Sequence, residues 1–176
     1  MANREALREL QSRLAARLQT ARTEGASVSW LAVMCGGQRY LLPLGQSGEI
    51  FPVANLQPVP YVRNWFRGVL NIRGGLYGVV DLADFIVQSG GPQRGQTTAA
   101  DASVVTLNPA LEVNCALQVD GLAGLRGQDA FASSSAAPVD APAYYGNRFV
   151  EPGGDVWQEI NLRTLSQFPQ FLSISA

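Results

Sequence analysis

The spacing of apolar residues changes character after the first two dozen positions of this chain. Leu7, Leu10, Leu14 and Leu18 recur at helical spacing, and Glu9 precedes Arg13 by four residues, the favourable order for an ion pair along a helix. A helix is therefore predicted from Met1 to about Glu24, closed by Gly25 and Ser27. From Val28 the pattern reads as strands. Residues 29–35 and 38–44 flank Gly36-Gly37, a pair that supplies the positive φ angles of a tight hairpin. Residues 49–53 read as a third strand, whereas Pro58 and Pro60 keep residues 55–61 out of any central strand. Residues 63–66 read as one helical turn that places Trp65 and Phe66 for burial. A second hairpin follows, 68–73 and 76–80 around Gly74-Gly75. Asp81 then reads as the cap of a helix over 82–88, with Asp84 favourably placed near its positive end.

Residues 89–102 hold too little apolar surface to offset the entropy of ordering and read as a linker. Beyond it, 103–107 and 112–119 form a hairpin across Asn108-Pro109, and 122–127 extends as a strand. Residues 133–143 read as a loop rich in Ser, Ala and Pro. Strands 148–151 and 156–160 then flank Pro152-Gly153-Gly154, and Asn161 caps a helix over 162–168. The halves repeat. Gly74-Gly75 leads through a strand to Asp81-Leu82 and a helix; Gly153-Gly154 leads through a strand to Asn161-Leu162 and a helix. Each half also opens with an apolar hairpin. Two such units are each too small to close a large core alone, so they are expected to share one and to leave a groove where they meet. The expected division is a helical arm over 1–26 and a domain over 27–176. Within it the first barrel is mostly 27–88, the linker 89–102 and the second barrel mostly 103–170.

Composition narrows the chemistry more than the fold. The 176 residues are 47% apolar and 15% charged, with a net charge of −1, so bulk electrostatics call for neither nucleic acid nor anionic lipid. There is no His, and every one of the 13 basic residues is Arg. That removes the commonest general base and metal ligand, Schiff-base lysines and the P-loop lysine together. Cys35 and Cys115 cannot alone make a structural zinc site, and each lies in an apolar run that reads as buried core. The acids Asp81, Asp84, Asp101, Asp120 and Asp129 form neither a metal nor a glycosidase pattern. No catalytic residue, cofactor or metal is expected. No signal peptide opens the chain and no apolar run approaches the ~20 residues of a membrane helix, so a cytoplasmic protein without direct membrane insertion is expected. The arm is basic, five Arg against three Glu, and the rest is net negative. Packing on its own domain or a protein contact is preferred for it over lipid. Trp65, Phe66 and Tyr77 accompany Arg63, Arg67 and Arg73, a pattern that small barrels use for single-stranded nucleic acid, ranked here below protein binding.

The run from Glu49-Ile50 to Arg73-Gly74, with Gly68-Val69-Leu70-Asn71-Ile72 inside it and Val80-Asp81-Leu82 after it, resembles the hallmark stretch of CheW-like chemotaxis coupling proteins. Val119-Asp120-Gly121-Leu122 is a looser echo in the second half. The resemblance implies a mainly β fold: two five-stranded SH3-like β-barrel subdomains sharing a core, with short helices, here preceded by an N-terminal helix. It implies a non-catalytic adaptor that bridges a chemoreceptor's cytoplasmic hairpin tip to the regulatory domain of a CheA-type histidine kinase, associated with membrane-anchored receptor arrays. Receptor-facing positions of the family match Arg73, Gly68, Gly74 and Glu49. For Arg73 an internal salt bridge is an equal alternative, and Gly68 and Gly74 are explained as well by conformation. A hydrophobic edge around Val69 and Val79 is expected to meet the kinase. Gln158 and Glu159 stand where the family usually has apolar residues, which points to a second barrel solvated on one side or open at an edge. The long arm, Tyr77-Gly78 and the short tail are similar to the members that serve type IV pili and twitching motility; flagellar chemotaxis is the alternative.

Overall fold

The computed structural model describes residues 2–24, 28–96 and 101–176. The elements run α1 (Ala2–Glu24), β1 (Val28–Cys35), β2 (Gln38–Pro43), β3 (Ser47–Pro52), β4 (Phe66–Ile72), β5 (Gly75–Asp81), α2 (Leu82–Gln88), β6 (Ser103–Leu107), β7 (Cys115–Val119), β8 (Gly121–Gly127), β9 (Ser133–Ser135), β10 (Tyr145–Val150), β11 (Val156–Ile160), α3 (Leu162–Gln167) and α4 (Pro169–Leu172). Most predicted hairpins and caps stand where the pattern put them. Gly36 and Gly37 take φ angles of 60° and 78° in the β1–β2 turn. Asp81 accepts a hydrogen bond from the Asp84 amide at 3.1 Å, and Asn161 one from the Thr164 amide at 3.0 Å, so both short helices are capped alike. The expected close of α1 at Gly25 and Ser27 lies outside the described residues.

The strands form a six-stranded sheet in the order β8-β1-β2-β11-β10-β9 and a five-stranded sheet in the order β3-β6-β7-β5-β4. Neither sheet is one half of the chain. Hairpin β1–β2 of the first half lies between β8 and β11 of the second, and hairpin β6–β7 of the second lies between β3 and β5 of the first. Against the expected division, a first barrel mostly over 27–88 and a second mostly over 103–170, the two sheets exchange the opening hairpins of the halves. The physical reason is burial on both faces. Along β1, Leu31 and Val33 point into a core shared by both sheets, while Trp30 and Ala32 pack with Leu41 and Trp157 on the sheet's other side. In the five-stranded sheet Val80, Val105 and Leu117 join the shared core, and Val79, Val104 and Ala116 join Leu70 in a separate cluster. Strands buried on both faces read as continuous apolar runs, as these do. The exchange covers both faces at once and makes the halves inseparable.

Three local expectations are also revised. Residues 63–66 form a reverse turn, the Phe66 amide donating to the Arg63 carbonyl at 2.9 Å, with no helical turn. Trp65 is buried as expected, 5.0 Å from Phe85 between ring centroids, but Phe66 is only half-buried. Gln158 and Glu159 do not mark an open edge, because β11 runs inside the sheet between β2 and β10. The Gln158 amide nitrogen donates to the Gly146 carbonyl at 2.9 Å and the Trp30 indole N–H donates to Glu159, while Gln158 Oε1 and Trp157 Nε1 are buried without a hydrogen-bond partner among the described residues. Finally, the linker's described part is tied down: the Gly95 amide donates to the Gly36 carbonyl at 2.7 Å, and Arg94 joins a carboxylate cluster.

Helix α1 lies against β3 and β8, an outer strand of each sheet, and closes the seam between them. Leu14 and Leu18 enter the shared core, and the Gln11 side chain donates to the Ser103 hydroxyl at 2.6 Å. Two fully buried leucines contribute roughly 1.5–3 kcal/mol each, so the helix is held by its C-terminal half. Its first turns stand out from the body, with residues 3–6 and 8–10 exposed. This is the packing on its own domain that the narrow leucine stripe predicts.

Candidate partner-binding site

The turn Arg73-Gly74 joins β4 to β5, with Ile72 paired to Gly75 across it. Both turn residues have positive φ, 50° and 81°, the left-handed pair that matches strand twist in a two-residue hairpin. Asn71 Oδ1 accepts from the Gly74 amide at 3.1 Å and braces the turn from inside the hairpin. Gly74 has open space where a Cβ would be, so its role here is conformational. Arg73 is thrown outward by this geometry, its side chain 73% exposed.

Glu49 meets it from the far side of the sheet. β3 and β4 are the outer strands, so the sheet curls until Arg73 Nη1 donates to Glu49 Oε1 at 2.8 Å. The guanidinium also lies 5.7 Å from the centre of the Phe51 ring. Thr106, which sequence reasoning passed over, sets Glu49 in place. Its hydroxyl accepts from the Glu49 amide at 2.7 Å, in a register shift between Ser47 and Ile50, and fills the space that a side chain on Gly48 would need. A polar β-branched residue opposite a glycine in an otherwise apolar strand was the available signal.

Gly68 acts through the backbone. It has φ 135° in a bulge of β4, and a Cβ there would lie 2.1 Å from the Gln57 carbonyl oxygen. That close approach lets the Gln57 amide donate to the Val69 carbonyl at 2.9 Å and the Val69 amide to the Gln57 carbonyl at 2.8 Å, so the proline-containing segment covers the outer strand. Val69 keeps a half-buried side chain. Val79 is fully buried in the sheet's own cluster and cannot present its side chain to a partner. The expectation for Val79 is corrected: β5 is flanked by β7 and β4 and is not an edge.

The Glu49–Arg73 pair is a ridge between two hollows. One, about 310 Å³, is bordered by Ala15 and Leu18 of α1 and by Ile50 and Phe51. The other, about 190 Å³, is bordered by Ile72, Tyr77, Leu107 and Pro109. Leu76, 61% exposed, adds apolar surface to the same hairpin. A charge-paired ridge between hollows of mixed polar and apolar lining, with an exposed leucine beside it, suits a macromolecular surface. The aromatic–arginine pattern that allowed nucleic acid is dispersed by folding. Trp65 is in the core and Arg67 pairs with Asp81 and Asp84.

The other charged cluster lies on the opposite side of the hallmark motif. Arg94 Nη1 donates to Asp81 at 3.0 Å and to Asp84 at 2.8 Å, and Arg94 Nη2 donates to Asp120 at 3.1 Å. Asp120 also accepts from the Gly36 amide at 2.7 Å. Burial works against the Arg94 charge, but hydrogen bonds to Asp84 and Asp81 and the charges of Asp81 and Asp120 outweigh it and hold the guanidinium's pKa above its ordinary value. The cluster ties linker, α2, the β1–β2 turn and the β7–β8 junction into one piece. Asp81 is thereby accounted for as a cap and an anchor. Burial pushes the Cys35 thiol far up, with Asp120 and Asp81 adding to it, and pushes Cys115 up to about 12, so both are neutral core thiols. Among the described residues no group of His, Cys, Asp and Glu is arranged to hold a metal, and no helix is long and apolar enough to cross a membrane.

Two sheets with exchanged hairpins thus close on a shared core, with the Asn71-braced arginine hairpin at one rim. The model of the CheW-like domain matches residues 29–166, and the chain belongs to that family. Its fold is shared with the crystal structure of the scaffolding protein TtCheW from Thermoanaerobacter tengcongensis, at TM-score 0.60 and 15% identity over 78% of this chain and 90% of that one. It is also similar to Protein PilI of Pseudomonas aeruginosa, 33% identical over 84 residues. That stretch is 48% of this chain and 47% of PilI, so the match spans about half the length of the curated relative.

Proposed function

We propose that this chain is a non-catalytic adaptor that couples a chemoreceptor to a CheA-type histidine kinase in a chemosensory array. The observation that carries the reading is the hallmark hairpin of the family, folded so that Arg73 stands exposed on a ridge between two hollows. A receptor's helical hairpin tip would set apolar side chains into those hollows and carbonyl or carboxylate groups against the Arg73 fork. Glu49 holds that fork in readiness, and Gly68 and Gly74 act through backbone shape. The kinase's regulatory domain is proposed to meet β4 around Val69, the half-buried member of the expected pair. The likeness to PilI favours control of type IV pili and twitching motility over flagellar chemotaxis. The protein would sit in the cytoplasm beneath the receptors.

Affinity capture from the native cytoplasm tests this class of function. Retention of a CheA-type kinase and a methyl-accepting receptor by the wild-type chain, with receptor lost on Arg73→Glu, is the expected result. Retention of neither partner overturns the reading. A single-stranded nucleic-acid barrel would instead bind oligonucleotides with an affinity that falls steeply as salt rises.

A further inference from the structure

We infer that helix α1, which precedes the matched family domain, forms the second wall of the partner cleft and selects a helix whose apolar anchors are flanked by acidic residues. The inference rests on the adaptor reading and adds an element to its site. Ala15 and Leu18 border the 310 Å³ hollow directly, facing Arg73 across it. Arg4, Arg8, Gln11 and Ala15 fall at i, i+4, i+7 and i+11, which is one stripe of an α-helix. Gln11 fixes the direction of that stripe, because its side chain donates to Ser103 at the end of the sheet, opposite Pro52 of β3. Beyond Gln11 the helix overruns the sheet, and Arg4 and Arg8 are exposed on the cleft's own line. Leu7 and Leu10 continue the apolar side beside them, half-buried and 49% exposed.

Arg73 stands on the hairpin wall of the hollow, and Arg4 and Arg8 lie on the α1 stripe that runs on from Ala15, outside the residues that border the hollow itself. Arg73 is paired with Glu49 and Glu9 with Arg13, so the positive charge that this stripe of α1 offers a ligand comes from Arg4 and Arg8. An amphipathic helix with acidic flanks is complementary in shape and sign. Rim charges of this kind govern encounter rate and salt dependence more than intrinsic grip.

The test titrates a fluorescent cytoplasmic hairpin-tip fragment of a methyl-accepting receptor from the same cell with the full-length chain. Wild type, Arg4→Glu with Arg8→Glu, and Arg73→Glu are compared at two salt concentrations. Both arm positions are exposed, so the double variant keeps its fold, checked by its melting curve. The expected result is binding weakened roughly fivefold or more by the double variant, with a shallower salt dependence. If Arg73→Glu weakens binding and the double variant does not, the wall role of α1 is overturned while the adaptor site stands. Tighter binding by the double variant also overturns it. If neither variant changes affinity, the site itself is misplaced and the inference goes with it.

Discussion

Two arginine–carboxylate groups flank the same hallmark motif, and they do opposite things. Glu49–Arg73 lies in solvent at the hairpin tip, whereas Arg94 sits among Asp81, Asp84 and Asp120, with the Asp81 side chain only 2% exposed. An exposed pair contributes little to stability because water and salt compete for both charges. An arginine serving buried carboxylates is different, since its removal strands charge in a poor solvent. The lesson is that the motif's charge divides into a part that the fold consumes and a part left over for a partner.

Removing the buried half should be the most damaging change. Arg94→Ala is expected to cost about 3 kcal/mol in urea unfolding at neutral pH, because it removes the guanidinium that bonds to Asp81, Asp84 and Asp120 together. A loss under about 1 kcal/mol would mean the cluster is not what pins the linker. Arg94→Lys should recover only part, as a point charge cannot bridge three carboxylates.

Next comes the backbone between the two groups. Gly68→Ala would put a methyl against the Gln57 carbonyl at a positive φ, costing roughly 2 kcal/mol. Faster hydrogen exchange at the Gln57 and Val69 amides would locate the damage; an unchanged pattern would refute the strap.

The core thiol sets an effect confined to high pH. Burial raises Cys115 from 9.0 to about 12, so the folded state holds its proton more tightly than the unfolded chain. That contribution is complete below pH 9 and is lost as pH rises through about 12. Urea midpoints should fall across this window, and less so in Cys115→Ala. Equal slopes in the two proteins would remove the thiol as the cause.

Smallest of all in stability is the exposed half. Arg73→Ala should stay within about 0.5 kcal/mol of wild type in the same unfolding assay, since surface changes away from buried networks cost little. A larger loss would place Arg73 in the structural group with Arg94.

This contrast also shows what a sequence carries. Hairpins and caps were legible because Gly36-Gly37, Gly74, Asp81 and Asn161 act on neighbours within a few residues. The repeat was legible for the same reason. The exchange of hairpins was not, because apolar periodicity records that a face is buried and not which strand buries it. Arg94 was missed because it is one cation in a stretch whose composition reads as linker, and its three partners lie 10 to 26 residues away. Val79 was misplaced, although Val79-Val80 in an unbroken apolar run was the sign of a strand covered on both faces.

The central claim is that the hairpin ridge is a surface for grasping another protein. Equilibrium binding of the purified receptor tip to wild type and to Arg73→Glu, with melting curves for both, tests it most directly. The account predicts micromolar-range or tighter binding that drops at least about tenfold in the variant at unchanged melting temperature. Identical affinities, or a wild-type chain that ignores the receptor tip altogether, would contradict it.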